Sequence, residues 1–456
     1  MTPAERVVRA ATRAYGETVT ELRPLDLTAA AEPGDRHVRP RRRRRFPAWL
    51  APVAAAAAVI ALAVSLAIVR NIPAQQAAAS GGVPRYYAAL VPQPPEGFEN
   101  KLAVGDSSTG ARLAFLSPPR GSTFYAVTAA ADDRTFVVAA EPMANAAPDN
   151  RVPPRTWYLL QIAPGTSSQV RLTRLPLPDL AGDEVLAVAL SGSGRELAVG
   201  LIPNYSTSSK SPIQLRVYSV TTGKLERVWS TSDQTVFDGP GLAGIESVTA
   251  TTLTWVDDDR ALAFPTLSAA SYPRKHEEVT RKTMRLLDVS AGGSDLIADS
   301  RVIWSTQGLS NPFNGSYAQL SCANTYVNPM LTADGKTIVC AAFKPLTPQG
   351  PVPGSAPGRY TLAWLAYSTS APTVARTLAQ LTVDAPKWTA PAIDLLWADS
   401  SGGTLIGTWT LETASDLFIN PNPAPAFRPH WGVIANGKFR PLTTMGDLNL
   451  DSGIAW

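Results

Sequence analysis

Asn328-Pro-Met-Leu-Thr-Ala-Asp-Gly-Lys-Thr-Ile-Val-Cys340 reads as an apolar strand, a tight polar turn and a second apolar strand. Asp334 and Gly335 suit the turn: Asp bonds its own backbone, and Gly accepts a left-handed conformation at no steric cost. The pattern returns at Val127–Ala139, Ala187–Val199, Leu253–Phe264 and Leu395–Gly407. The apolar residue after each turn falls at Phe136, Leu197, Leu262, Ile338 and Leu405, at intervals of 61, 65, 76 and 67. A spacing of that size fits a four-stranded unit with generous loops.

Further hairpin signals lie between the copies. Leu215–Trp229, Lys101–Leu116 and Ala363–Leu378 each alternate apolar and polar residues around a polar turn. Each unit is then strand A, B, C and D, the plan of a β-propeller blade. Five full units begin near residues 123, 184, 246, 326 and 392, and residues 85–118 supply about three strands more. Gly453-Ile454-Ala455-Trp456 reads as another inner strand. If it completes the N-terminal blade, the ring closes at six blades and protects its end strands; a long insertion could hide a seventh. The fold class expected is all-β, a β-propeller, with one N-terminal transmembrane α-helix.

The helix is read from Leu50–Val69, LAPVAAAAAVIALAVSLAIV, 20 residues without a charge. At about 1.5 Å per residue it spans about 30 Å, the thickness of the hydrocarbon layer. Arg36, Arg39 and the run Arg41, Arg42, Arg43, Arg44 and Arg45 precede it, while only Arg70 and Arg85 follow closely. Arginine excess stays in the cytoplasm, so the N-terminus is expected inside and the C-terminus outside. About 49 residues precede the apolar run, too many for an ordinary cleaved signal, although Ala77-Ala78-Ala79-Ser80 offers a cut that would release the outer domain. The expected domains are a cytoplasmic leader over 1–45, a transmembrane helix over 46–70, a flexible linker over 71–84 and an extracytoplasmic propeller over 85–456.

Charge follows the same division. Residues 1–70 hold 12 Lys+Arg against 6 Asp+Glu, and the remaining 386 hold 29 against 31. The basic excess belongs to the leader, so the large domain lacks the positive surface of a nucleic-acid reader. In the leader, Val7, Val8, Ala11, Ala14, Tyr15, Val19 and Leu22 recur at helical spacing, with Thr2, Pro3 and Glu5 suited to start the helix. That segment reads as a topology signal or as a docking helix for a cytoplasmic partner, and its arginines suit anionic lipid headgroups.

The Thr332–Val339 turn resembles those of the TolB-like and WD40-like propellers of bacteria. The whole layout resembles actinobacterial single-pass membrane proteins that carry such a propeller outside the cell. The resemblance implies a fold and no particular chemistry. Ser191-Gly192-Ser193-Gly194 and Asp257-Asp258-Asp259 depart from the turn motif.

No nucleophile elbow, phosphate-binding loop, dinucleotide fingerprint or zinc-protease helix occurs in the sequence. Asp257, Asp258 and Asp259 lack the Gly and distal Glu of a calcium loop and read as a solvated turn. His37, His276 and His430 are isolated, and the tryptophans on strands read as core. No catalytic residue, cofactor or metal is expected, and the chain is read as not an enzyme. Cys322 and Cys340 leave two readings open: unrelated thiols, or one disulfide formed in an oxidising compartment. Pairing about the Asp334-Gly335 turn puts Cys340 opposite about residue 329, so Cys322 would reach back from the preceding loop.

Three functions remain in view. The first is an interaction or sensing module displayed outside the plasma membrane, meeting an envelope protein or a glycan. The second adds an anti-sigma-like role, with the leader holding a cytoplasmic regulator such as a sigma factor. The third is a propeller hydrolase or lyase, which requires titratable groups that converge near the central channel.

Overall fold

The computed structural model describes residues 83–92, 100–108, 111–143, 152–163, 169–205, 211–233, 236–237, 253–269, 280–306, 319–320, 329–346, 357–386, 389–413, 429–442 and 453–456. The leader, the apolar segment at 50–69 and the arginine run lie outside these residues. Among the described residues no helix is long and apolar enough to cross a membrane.

The described strands form six antiparallel sheets. Blade 1 contains β1 (Tyr86–Pro92), β2 (Asn100–Asp106) and β3 (Arg112–Leu116). Blade 2 contains β4 (Ser122–Ala129), β5 (Thr135–Pro142), β6 (Thr156–Ile162) and β7 (Val170–Arg174). Blade 3 contains β8 (Glu184–Leu190), β9 (Glu196–Ile202), β10 (Ile213–Ser219) and β11 (Leu225–Thr231). Blade 4 contains β12 (Thr254–Val256), β13 (Ala261–Ala269), β14 (Thr280–Asp288) and β15 (Ser300–Ser305). In blade 5 the inner strand comes in two pieces, β16 (Gln319–Leu320) and β17 (Met330–Leu331), both paired with β18 (Thr337–Pro345); β19 (Gly358–Ser368) and β20 (Ala371–Ala385) follow. Blade 6 contains β21 (Thr389–Ala398), β22 (Thr404–Thr413), β23 (His430–Ala435) and β24 (Lys438–Pro441).

The last strand, β25 (Ile454–Ala455), returns to blade 1 and pairs with β1, Ala88 opposite Ala455 and Ala89 opposite Ile454. The Leu90 amide also donates to Gly453 O at 3.0 Å. The ring therefore closes with strands from both ends of the chain, as the sequence suggested, and at six blades.

Burial grades outward along each blade. Second strands such as β9 (ELAVGLI) are buried almost throughout because neighbouring blades cover both faces, so their sequences run apolar without alternation. Fourth strands such as β7 (VRLTR) are largely exposed. Apolar clusters fill each of the six seams between adjacent blades. Where blades 5 and 6 meet, Trp364 stacks on Phe439 at 5.3 Å. Where blades 6 and 1 meet, Trp456 lies 6.2 Å from Trp431 and 6.3 Å from Tyr87.

The A–B turns explain the recurring motif. Five of them carry left-handed residues: Asp133, Gly194, the run Asp257–Asp259, Gly335 and Gly402. In three blades one oxygen at the head of the turn accepts the amide five residues on: Ser191 from Glu196, Thr332 from Thr337 and Asp399 from Thr404. Ala130 stands at that place in blade 2 and has no such oxygen; there Asp132 accepts from Arg134 and Thr135 instead. A small polar head residue and a left-handed residue are the physical content of the repeat.

Candidate functional site

The inner strands of all six blades end around a cavity of about 410 Å³ on the propeller axis, at the A–B-turn end. Leu253, Trp255, Met330, Leu331, Trp397 and Trp456 make its wall largely apolar, and Arg85 and Asp133 stand among its polar lining residues. That volume and that mixture, much apolar wall with a few polar groups, suit a small organic ligand.

The cavity's frame is tied together from blade to blade. The Leu190 amide donates to Thr128 Oγ1 at 3.0 Å, and Trp255 Nε1 donates to Ala189 O at 3.0 Å. The Ala131 amide donates to Gly192 O, and the Asp257 amide to Ala333 O, each at 3.0 Å. Trp456 Nε1 donates to Ser107 Oγ at 3.0 Å. Asp133 accepts the Arg85 amide at 2.6 Å. Burial raises the Asp133 carboxyl above its ordinary range, against the pull of that amide and of Arg134.

Asp257–Asp259 is more than the solvated turn expected. Asp257 and Asp258 are exposed, but Asp259 accepts the Gly192 amide at 2.6 Å and the Ser193 amide at 2.9 Å across the blade 3–4 seam. Its charge therefore fixes a neighbouring turn. His430 is not isolated: its ring stacks on Trp409 with centroids 4.0 Å apart, and burial lowers its pKa. His37 and His276 lie outside the described residues. Among the described residues no group of acids, histidines and cysteines could hold a metal ion. Cys340 is buried and disulfide-bonded, and the Met330–Val339 pairing puts it opposite about residue 329, as expected. Cys322 lies outside the described residues.

A second group of ionisable side chains escaped the sequence reading. At the far end of the inner strands, in the seam of blades 2 and 3, Arg155 is 3% exposed. Its Nη1 donates to Asp183 O at 2.7 Å, its Nε lies 3.8 Å from Glu141 Oε2, and its guanidinium sits 5.1 Å from the centre of the Tyr125 ring. The Tyr125 hydroxyl reaches Val185 O at 3.4 Å. Burial is the main cause that raises the carboxyls of Glu141 and Glu184, and Arg155 opposes it. Burial also raises the Tyr125 phenol. Equivalent irregularities fall at Tyr125 in β4 and Leu186 in β8, where the pairing with β5 and β9 skips one residue. Such bulges re-aim side chains beside functional sites. The only signals in the sequence were charged residues at the ends of apolar strands, which acquire meaning once the blades are assembled.

No family model matches the chain, and no curated protein matches it. Solved propeller structures do. The periplasmic gluconolactonase PpgL of Pseudomonas aeruginosa is 13% identical with a TM-score of 0.34, covering 78% of this chain and 98% of that one. A putative 6-phosphogluconolactonase from Bacteroides uniformis is 11% identical at 0.34, covering 78% and 81%. A putative dipeptidyl aminopeptidase IV from Bacteroides ovatus is 9% identical at 0.33, covering 71% and 51%. Likeness at this level bears on fold alone. It nevertheless corrects one expectation: chains similar to this one carry enzyme names, so the missing sequence motifs do not make it a non-enzyme.

Proposed function

We propose that the propeller is a ligand-receiving or sensing module held outside the membrane by residues 50–69, and that the axial cavity takes the apolar part of its ligand. The observation that carries this reading is the cavity itself: six inner strands meet around a largely apolar space in which charged lining residues are few. The tether rests on the uncharged run and on Arg41–Arg45 before it. The ligand is then part of an envelope protein or a glycan with an apolar substituent, and the leader meets membrane lipid and a cytoplasmic regulator such as a sigma factor.

Cys322 is the partner of Cys340 in this reading, since the chain has two cysteines. The β16–β18 pairing supports it: the inner-strand piece that ends at Leu320 lies against β18, the strand that carries Cys340. A bridge from Cys322 to Cys340 closes a loop of 19 residues and contributes roughly 3 kcal/mol.

A photocrosslinking residue at Ser400, beside the cavity, tests the binding reading in intact cells. It should yield a specific adduct that is absent when the same residue replaces Ser370 on the outer edge of blade 5. Equal labelling at the two positions contradicts the proposal.

A hydrolase is the second reading, favoured by one observation: Tyr125, Glu141, Arg155 and Glu184 converge in one seam. A carboxyl raised by burial is a better proton acceptor near neutral pH than an ordinary one. Turnover of a chromogenic ester or lactone by the full chain, lost in Glu141→Gln and in Glu184→Gln, would favour this reading.

A further inference from the structure

The seam of blades 2 and 3 has a polar site whose parts do not satisfy one another. The backbone on either side of Glu184 is held. Arg155 bonds the carbonyl of Asp183 just before it, and Tyr125 bonds the carbonyl of Val185 just after it. Glu141, near the end of β5, brings its carboxylate to Arg155 but stops 3.8 Å short of Nε, beyond hydrogen-bond range. Arg155 Nε is buried and, among the described residues, has no hydrogen-bond partner. Buried donors in native proteins are ordinarily paired, so an unpaired one asks for an explanation.

Two deficits define what would complete the site. Arg155 lies beside Glu141 and its charge also acts on Glu184, so two carboxylates share one guanidinium and one negative charge is in excess when both are ionised. Among the described residues the Nε–H lacks an acceptor. The Glu141 side chain is 19% exposed whereas that of Arg155 is 2% exposed. A ligand arriving from solvent therefore meets the carboxylates first and reaches Arg155 only when Glu141 turns aside. A positive group answers the first deficit and an oxygen acceptor answers the second.

We propose that Glu141, Glu184 and Arg155 form a binding site for a small compound with a primary amine and an oxygen acceptor on the neighbouring carbon, with Tyr125 as a positioning residue. The inference does not depend on the axial cavity, which lies at the other end of the inner strands. Amino sugars, ethanolamine headgroups and peptide amino termini share this chemistry.

The test uses the full chain in detergent, with glucosamine, ethanolamine and glycinamide as separate probes and titration calorimetry as the readout. Ethylamine supplies the charge without the oxygen, and acetamide the oxygen without the charge. At least one probe should bind about tenfold more tightly than either control, and the probe that does so identifies the source. Glu184→Gln and Glu141→Gln should each weaken that binding about tenfold. Both remove a charge that burial already disfavours, so both variants should fold with an unchanged or higher melting temperature. Arg155→Lys should keep amine binding and erase the advantage over ethylamine. If no probe outperforms ethylamine, or if binding survives both glutamine variants, the proposal is overturned.

Discussion

At the turn end of the axis, the inner strands of blades 2 to 6 finish in short polar turns, and several of these hook one blade to the next around a largely apolar cavity. At the start of the same strands in blades 2 and 3, about 20 Å away for a seven-residue strand, the side chains are a buried arginine, two glutamates and a tyrosine. At the turn end several polar groups are partnered across the seams, while Arg134 Nη1 is buried with no partner among the described residues. At the other end a buried donor and two carboxylates are left incompletely matched. The contrast teaches that the two ends offer different chemistry: an apolar space framed by ties between blades at one, and buried polar groups that a ligand would complete at the other.

The largest expected effect attacks the frame as a whole. Removing residues 453–456 deletes the strand that closes blade 1 and the Trp456 ring packed near Tyr87 and Trp431. Loss of one buried tryptophan costs about 3–5 kcal/mol, so Trp456→Ala alone should lower the melting temperature clearly and the truncation more so. A truncated chain that melts like the intact one would break the closure.

Next is the Asp259 tie between blades 3 and 4. Asp259→Ala removes two charge-assisted bonds to the Gly192 and Ser193 amides and should cost about 2 kcal/mol in denaturant unfolding. Asp258→Ala, at an exposed position of the same turn, should cost much less. Equal effects would return the aspartate run to a merely solvated turn.

Gly335→Ala probes the motif itself. Gly335 has φ of +69°, and a methyl group placed there would meet only Val256 atoms, at 3.9 Å. Conformation rather than crowding should therefore set a cost of about 1–2 kcal/mol. Gly335→Asn should cost less, since Asn tolerates the left-handed region.

The smallest effect belongs to the glutamate seam. Glu141 and Glu184 have folded-state values raised from 4.5. A raised carboxyl binds its proton more tightly folded than unfolded. Its contribution to stability is present in full below about 4.5 and is lost as pH rises through the folded value. The melting temperature should therefore gain from these two groups as pH falls from 7 toward 5. Glu141→Gln should flatten that gain and raise the melting temperature slightly at pH 7.

The two ends also differ in how much the sequence revealed. The repeat from Phe136 to Leu405 predicted the blades, and Gly453–Trp456 predicted the closure, because burial on both faces and turn chemistry leave local marks. The split inner strand of blade 5 was not legible: between Leu320 and Met330 lie more residues than their partners Ala342 and Val339 have between them, and only pairing exposes the surplus. Glu141, Arg155 and Glu184 were not legible either. Glu141 and Glu184 stand on strands of two blades and Arg155 just before a third strand, and nothing local distinguishes them from solvated strand ends. Asp259 was seen as a turn residue, but its partner lies 67 positions away.

Native-state hydrogen exchange of the Leu90 amide in the full chain tests most directly whether one closed ring builds both ends of the axis. The account predicts exchange as slow as that of the Leu190 amide, which is tied to Thr128 across an intact seam, and acceleration by orders of magnitude once residues 453–456 are removed. Exchange at the rate of the outer-strand amides in the intact chain, unchanged by the truncation, would contradict it.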